Sequence, residues 1–304
     1  MNNHNIVLPF SLAAKHGDAN AQGQGVAQDY AEAVRLYSLA AAQGHAGARY
    51  NLGYMFERGQ GVAQDYAEAV RFYSLAAAQG HAGAQNCLGF MFEKGLGVLQ
   101  DYAEARRLYF LAANKGYANA QFRLGGLYDF GLGVEESETI AIKWYKKAAQ
   151  KGDTSGQAFL GSMLLSSDPK SAMHWFKKAA EKGETTSQFN VGRGYELGLG
   201  VPKDLAMAAE WYRLAVEKGH AEAQFNLGFM FDTGKGVARD YAEAVRLYRL
   251  AAAQGHAVAQ NNLGFMFEFG QGVAQDYAEA VRLYSLAAAQ GDAIAQNNLK
   301  MLVA

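Results

Sequence analysis

Four kinds of residue in this chain have types and spacings that could do chemistry. Paired glycines such as Gly23-Gln-Gly25 stand just before helical patterns, where phosphate-cradling loops stand. His45, His81, His220 and His256 recur just behind a glycine, a spaced set of the commonest metal ligand. Cys87 offers a lone thiol. Asp29, Asp65, Asp101, Asp204, Asp240 and Asp276 form a series of carboxylates that acid–base chemistry could draw on.

Each of these chemistries meets an obstacle in the sequence. A phosphate loop needs a strand before it and a helix N-terminus after it. Here a helical pattern comes first, the third glycine of the dinucleotide fingerprint is missing and no Gly-Lys-Ser/Thr follows. Equivalent histidines in neighbouring helical layers would lie about 10 Å apart, whereas metal–nitrogen bonds are about 2 Å. They read as turn residues. His174 stands alone on a helical pattern, and its partners stay open. The slot of Cys87 holds Asn51, Arg123, Phe159, Asn190, Asn226 and Asn262 elsewhere, which does not describe a nucleophile site. The aspartates come one per unit ahead of a helical pattern and read as helix caps, each worth about 1 kcal/mol. No catalytic residue, metal site or cofactor is expected, and the chain reads as non-enzymatic.

The elements that carry these residues repeat. GQGVAQDYAEAVR, beginning at Gly23, recurs from Gly59 with Phe72 in place of Leu36 as the next residue, and again from Gly270; variants begin at Gly95, Gly131, Gly198 and Gly234. The second glycines are Gly25, Gly61, Gly97, Gly133, Gly200, Gly236 and Gly272, stepping by 36 residues except for one gap of 67. That gap holds a full period and a shortened unit near residues 152–183, where Ser-Ser-Asp-Pro replaces the glycine linker. Such self-similarity is the signature of a repeat architecture.

Every unit contains two helical patterns. In the first, Ala84, Leu88, Met91 and Phe92 fall on one helical face, and Gly95 ends the helix. The second starts at Asp101, with Glu104 placed to complete a capping box, and Gly116 ends it. Gly53, Gly89, Gly125, Gly161, Gly192, Gly228 and Gly264 lie inside the first helices, where each costs about 1 kcal/mol relative to alanine. A recurring cost of this kind points to close approach by a neighbouring helix. The expectation is an all-α solenoid, residues 23–298, preceded by a partial repeat or cap over 1–22 and followed by a tail over 299–304.

Bulk properties narrow the setting. The 304 residues carry a net charge of −1 and one cysteine, which gives no general pull toward nucleic acid and no intrachain disulfide. The opening MNNHNIVLPFSLAAKHG makes a poor signal peptide. No apolar run approaches the roughly 20 residues of a membrane helix. The expected location is cytoplasmic, without a membrane partner.

The pattern Ala-x-x-x-Leu-Gly-x-x-Tyr/Phe-x-x-Gly-x-Gly-Val-x-x-Asp, followed by a helix ending Ala-Ala-x-x-Gly, resembles the Sel-one-like repeat (SLR) family, relatives of the tetratricopeptide repeats. Ala84, Leu88, Gly89, Phe92, Gly95, Gly97, Val98, Asp101, Ala112, Ala113 and Gly116 carry the match, which extends over about residues 21–298. The resemblance implies a right-handed α/α superhelical solenoid, here of about seven two-helix repeats, that acts as a scaffold or adaptor for protein partners. It places the first helices on the concave side. A cysteine-rich branch of the family is associated with penicillin binding or hydrolysis; the lone Cys87 does not match its cysteine pairs. That activity is one alternative, and RNA binding by the middle of the chain is another.

Two aromatic rows on the first helices are the candidate partner-binding residues. One holds Tyr50, Phe122, Phe189 and Phe225; the other holds Tyr54, Phe90, Arg193, Phe229 and Phe265. Acids flank them at Glu93, Asp129, Glu196, Asp232 and Glu268, which would suit a peptide with apolar and basic anchors. The competing reading is packing against the next repeat. Gly25, Asp29, Gly61, Asp65, Gly97, Asp101, Gly236, Asp240, Gly272 and Asp276 are turn and cap residues.

Residues 141–219 differ from the near-identical outer units. They hold ten of the fifteen lysines and all three tryptophans, with twelve basic and eight acidic residues in all. A solvated face is the plain reading of that charge, and a partner-specific site is expected here before the uniform outer units. At the ends, Ala21-Gln22 runs directly into Gly23, and Lys300 replaces the helix glycine. With no polar capping repeat, end-to-end self-association is expected to be open to the chain.

Overall fold

The computed structural model of the chain describes residues 29–303. Gly25 and the partial repeat expected over 1–22 lie outside the described residues. Among the described residues there are sixteen α-helices and no strand. Contacts group the chain into two compact units that divide between Gly156 and Gln157.

The first unit holds α1 (Tyr30–Ala42), α2 (Ala46–Arg58), α3 (Tyr66–Ala78), α4 (Ala82–Lys94), α5 (Tyr102–Asn114), α6 (Ala118–Asp129) and α7 (Glu138–Gln150). The division falls inside α8 (Thr154–Leu164). The second unit continues with α9 (Pro169–Glu181), α10 (Thr185–Leu197), α11 (Leu205–Glu217), α12 (Ala221–Thr233), α13 (Tyr241–Ala253), α14 (Ala257–Phe269), α15 (Tyr277–Ala289) and α16 (Ala293–Val303). Even-numbered helices are the first of each repeat and odd-numbered helices the second. Residues 299–303, which the repeat pattern leaves as a tail, continue α16.

Side chains start and stop these helices as local chemistry dictates. Asp101 takes the backbone N–H groups of Ala103 and Glu104 at 2.9 and 3.0 Å, which satisfies orphan donors of α5. Glu104 does not complete the capping box. Its carboxylate is gripped by Arg107 through two 2.7 Å bonds, an exposed pair of a few tenths of a kcal/mol. Gly95 ends α4 at φ 68°, its N–H donating to the Met91 carbonyl. In the shortened repeat Asp168 caps α9, with Pro169 at the first helical position, where its missing N–H is harmless.

The cost of glycine inside the first helices has a specific cause. A Cβ built on Gly125 would lie 2.7 Å from the Tyr145 ring of the second helix, and one on Gly89 would lie 2.8 Å from Tyr109. The same seat joins Gly53 to Tyr73, Gly192 to Tyr212, Gly228 to Tyr248 and Gly264 to Tyr284; in the shortened repeat Gly161 meets Phe176. The rings are fully buried, each stabilising by roughly 2–3 kcal/mol through lost apolar exposure. Ala105, Ala141, Ala208 and their equivalents, at 0 % exposure, keep the helix axes close around the rings.

The linker glycines set the step between repeats. Gly97 packs on the backbone where α3 begins, at Tyr66, so a Cβ there would run into the Tyr66 carbonyl group. Its φ of 69° is itself unfavourable to other residues. Lys115 and Lys218 add a stitch by donating to the carbonyls of Gly80 and Gly183, and Gln254 donates to that of Gly219 at 3.0 Å.

Gly97→Ala tests the linker contact. Gly255 also has positive φ, at 88°, but a Cβ there meets nothing within 4 Å. Gly255→Ala should cost only the left-handed backbone penalty of about 1–2 kcal/mol. Gly97→Ala should cost about 2 kcal/mol more through the added clash, read as the difference between the two variants in urea unfolding.

Candidate functional site

Each of the six fully buried tyrosines reaches past its glycine to an acid four residues further along the first helix. Tyr73 donates to Glu57, Tyr109 to Glu93 and Tyr284 to Glu268, all at 2.7 Å; Tyr145 donates to Asp129 at 3.1 Å and Tyr248 to Asp232 at 3.3 Å. Tyr212 donates to Glu196. Burial, with the facing carboxylate, pushes these phenols above their ordinary range. The acid row expected to flank a peptide is therefore tied first to the repeat's own core. The pairing was legible as covariation within the chain: Phe176, the one ring without a hydroxyl, belongs to the one unit with Leu165 in the acid's place.

The two candidate rows have different surroundings. Tyr50, Phe189 and Phe225 are half-buried and stack on His81, His220 and His256 of the next repeat, with ring centroids 4.6–4.7 Å apart. Phe122 sits 5.6 Å from the Tyr145 ring. Tyr50, Phe189 and Phe225 thus pack against the next repeat, and Phe122 within its own. Of the second row, Tyr54, Arg193, Phe229 and Phe265 are exposed, and Phe90 is half-covered by the Arg123 guanidinium 4.5 Å above its ring. They share one register, one residue past the helix glycine.

The histidines are caps rather than plain turn residues. The Nδ1 of His45, His81, His220 and His256 accepts the N–H three residues on, at 3.1–3.3 Å. Asp153, Glu184 and Asp292 do the same work in their units. His256 also faces Glu222 at 3.3 Å. Among the described residues, no three His, Cys, Asp or Glu side chains are grouped to hold a metal ion. Cys87 is half-buried, and burial, reinforced by Glu57, pushes its thiol up to about 11. A thiolate is disfavoured there. His174 is exposed, edge-on to Trp175 at 5.0 Å.

The lysines of the middle lie on second helices and at their ends. Lys147 and Lys178 cover the faces of Trp144 and Trp175 at 4.1 and 5.3 Å, and Lys177 donates to the Tyr195 hydroxyl at 2.8 Å. These cations serve local contacts. Among the described residues, no helix is long and apolar enough to cross a membrane.

The Sel1 repeat family model matches residues 11–45, 46–81, 82–117, 118–153, 156–184, 185–220, 221–256 and 257–292, eight repeats where the glycine linkers suggest about seven. Among solved structures, the chain is 34% identical to a protective antigen present in uropathogenic Escherichia coli strains and displaying an SLR fold, covering 97% of this chain, with a TM-score of 0.84. This chain spans 63% of that antigen's length. A Sel1 repeat protein from Oxalobacter formigenes is 30% identical over 99% of this chain and 87% of its own, with a TM-score of 0.70. A comparison with curated proteins gives no match.

The capping histidines predict a pH response. Burial, joined at His81 by the nearby Lys115, lowers the imidazole pKa of His81 and His220 below the ordinary 6.5, and a protonated Nδ1 cannot accept the cap. The unfolded chain then binds the proton first as pH falls, so their stabilisation is complete above about pH 6.5 and is lost below it, toward the folded-state value. His81→Asp with His220→Asp, which copies Asp153 and Asp292, should flatten the fall in urea midpoint between roughly pH 7.5 and pH 5.5. An unchanged slope would show that the caps do not titrate there.

Proposed function

This chain belongs to the Sel1 repeat family, and we propose that it acts as a non-enzymatic adaptor whose first helices present one continuous face per unit to a protein partner. Sel1-repeat proteins mediate protein–protein interaction, and the family is typically non-catalytic. The observation that carries the reading is the exposure of the second row. Phe229 is 38% and Phe265 43% exposed, at the same register as Tyr54 and Arg193. Large aromatic and arginine side chains are the commonest anchors of protein interfaces. The core does not need them outward, because the buried leucine, methionine and tyrosine positions already close each repeat. The first row borders this face and packs against the next repeat's histidines.

A partner captured from a lysate of the source cells by the full chain gives the test. Phe229→Ala with Phe265→Ala, or Tyr54→Ala with Phe90→Ala, should weaken capture of that partner by about tenfold or more, typical for removing two anchors. Thermal unfolding should show each variant still folded. Undiminished capture by both folded variants would remove this face as the site.

A further inference from the structure

Five residues past the helix glycine, α2 and α4 differ from α12 and α14, while α6 of the first unit leads into an exposed Phe130 beside Asp129. In α2 and α4 that place holds Arg58 and Lys94. Each stands by the carboxylate that its repeat's tyrosine holds: Arg58 lies 3.7 Å from Glu57, and Lys94 lies 2.7 Å from Glu93, which also faces Arg123 at 3.4 Å. The first unit thus neutralises these two acids from within. In α12 and α14 the same place holds Thr233 and Phe269. Among the described residues, no cation comes within 4.0 Å of Asp232 or Glu268; each half-buried carboxylate accepts the tyrosine hydroxyl on one oxygen.

The electrostatic consequence follows the geometry. Burial opposes ionisation of Glu93, yet Lys94, the Tyr109 hydroxyl and Arg123 together hold its carboxyl below the usual range. Asp232 has no cation in contact, and burial, only partly offset by the Tyr248 hydroxyl and the more distant Arg239, lifts its carboxyl above the usual range. A cation supplied from outside would meet a half-desolvated carboxylate, where an ion pair is stronger than on an open surface.

Apolar surface lies beside these acids. Phe269 is 54% exposed and packs against Phe265 at 4.5 Å between ring centroids, and Phe229 stands at the equivalent place on α12. Lys235 already sits 5.5 Å over the Phe229 ring, so the ring face accepts an ammonium. Glu222 adds a third exposed acid, shared with His256. An apolar strip beside acids with no cation in contact complements one kind of segment: apolar side chains on one edge and lysine or arginine on the other.

We propose that the outward face of α12 and α14 binds a cationic amphipathic segment of a partner protein, its apolar side chains on Phe229, Phe265 and Phe269 and its basic side chains at Asp232 and Glu268. The assignment rests on the adaptor reading and adds to it the partner's chemistry and the helices that take it. The face of α2 and α4, with its own arginine and lysine, does not offer those carboxylates.

The test transplants the first unit's pattern into the second. Thr233→Arg with Phe269→Lys copies Arg58 and Lys94, which stand exposed at the same place, and a cation near a helix C-terminus is favourable. The probe is a fluorescent helical peptide of leucine and lysine, with a leucine and glutamate peptide of the same pattern as control, titrated against the full chain by anisotropy. The lysine peptide should bind the wild-type chain and bind the double variant at least about tenfold more weakly, one decade in Kd. Its affinity should also fall with added salt. Phe229→Ala with Phe265→Ala should lose the peptide, and Tyr54→Ala with Phe90→Ala should keep it. Equal affinity for the wild-type chain and the transplanted variant, equal binding of the glutamate peptide, or no binding of either overturns the proposal. If the captured partner depends on Tyr54 and Phe90 instead, the adaptor reading stands and this inference falls.

Discussion

A tyrosine ring laid on a helix glycine is the contact on which the remaining structure depends. It sets how closely the two helices of a repeat approach, because a single Cβ in the first helix would meet the ring before the helices could close. It also sets their rotation. The hydroxyl must land on the acid one turn beyond the glycine, which fixes where the flank one residue past the glycine points. The exposed row at Tyr54, Phe229 and Phe265 is therefore a by-product of how the buried face is fixed.

The same contact explains which features of the surface are free to vary. The acid is required by the tyrosine, so six repeats with the ring hydroxyl keep a glutamate or aspartate there. What stands beside that acid is not required. Arg58 and Lys94 at the ends of two first helices and Phe130, Thr233 and Phe269 at the ends of three others are all compatible with the same core, which lets a nearly uniform scaffold carry two electrostatic characters. Selectivity in such a repeat protein can then arise from a few positions at one register without disturbing the stack.

Much of the fold was legible because its constraints are periodic. The linker glycines, the capping aspartates and the glycine inside each first helix recur at a fixed step, and each has one local physical cause. Asp101 is an N-cap because it precedes a helix, and Gly95 is a stop because it takes a positive φ. The capping box at Glu104 was misleading, since Arg107 three residues on competes for the same carboxylate at no backbone cost. The histidines gave away their position but not their role. Nδ1 acting as a cap depends on rotamer and protonation, which spacing does not encode. The first aromatic row looked like a binding surface because its partner, the histidine of the next repeat, lies 31 residues away for Tyr50 and His81. The acid row was half-read: its charge was visible, its tyrosine was not, although Phe176 and Leu165 together held the clue.

Gly125 and Gly126 provide the sharpest test of the ring-on-glycine contact, because they are neighbours in α6 and differ only in what faces them. A Cβ on Gly125 would lie 2.7 Å from the Tyr145 ring, whereas one on Gly126 would lie 3.6 Å from the Tyr145 hydroxyl, an ordinary contact. Urea unfolding of the two alanine variants separates helix propensity from the seat. Gly126→Ala should stabilise by up to about 1 kcal/mol, and Gly125→Ala should destabilise by about 1–3 kcal/mol despite the same propensity gain. Equal stabilisation by both would show that the ring does not need the glycine, and that some other contact sets the spacing of the two helices in each repeat.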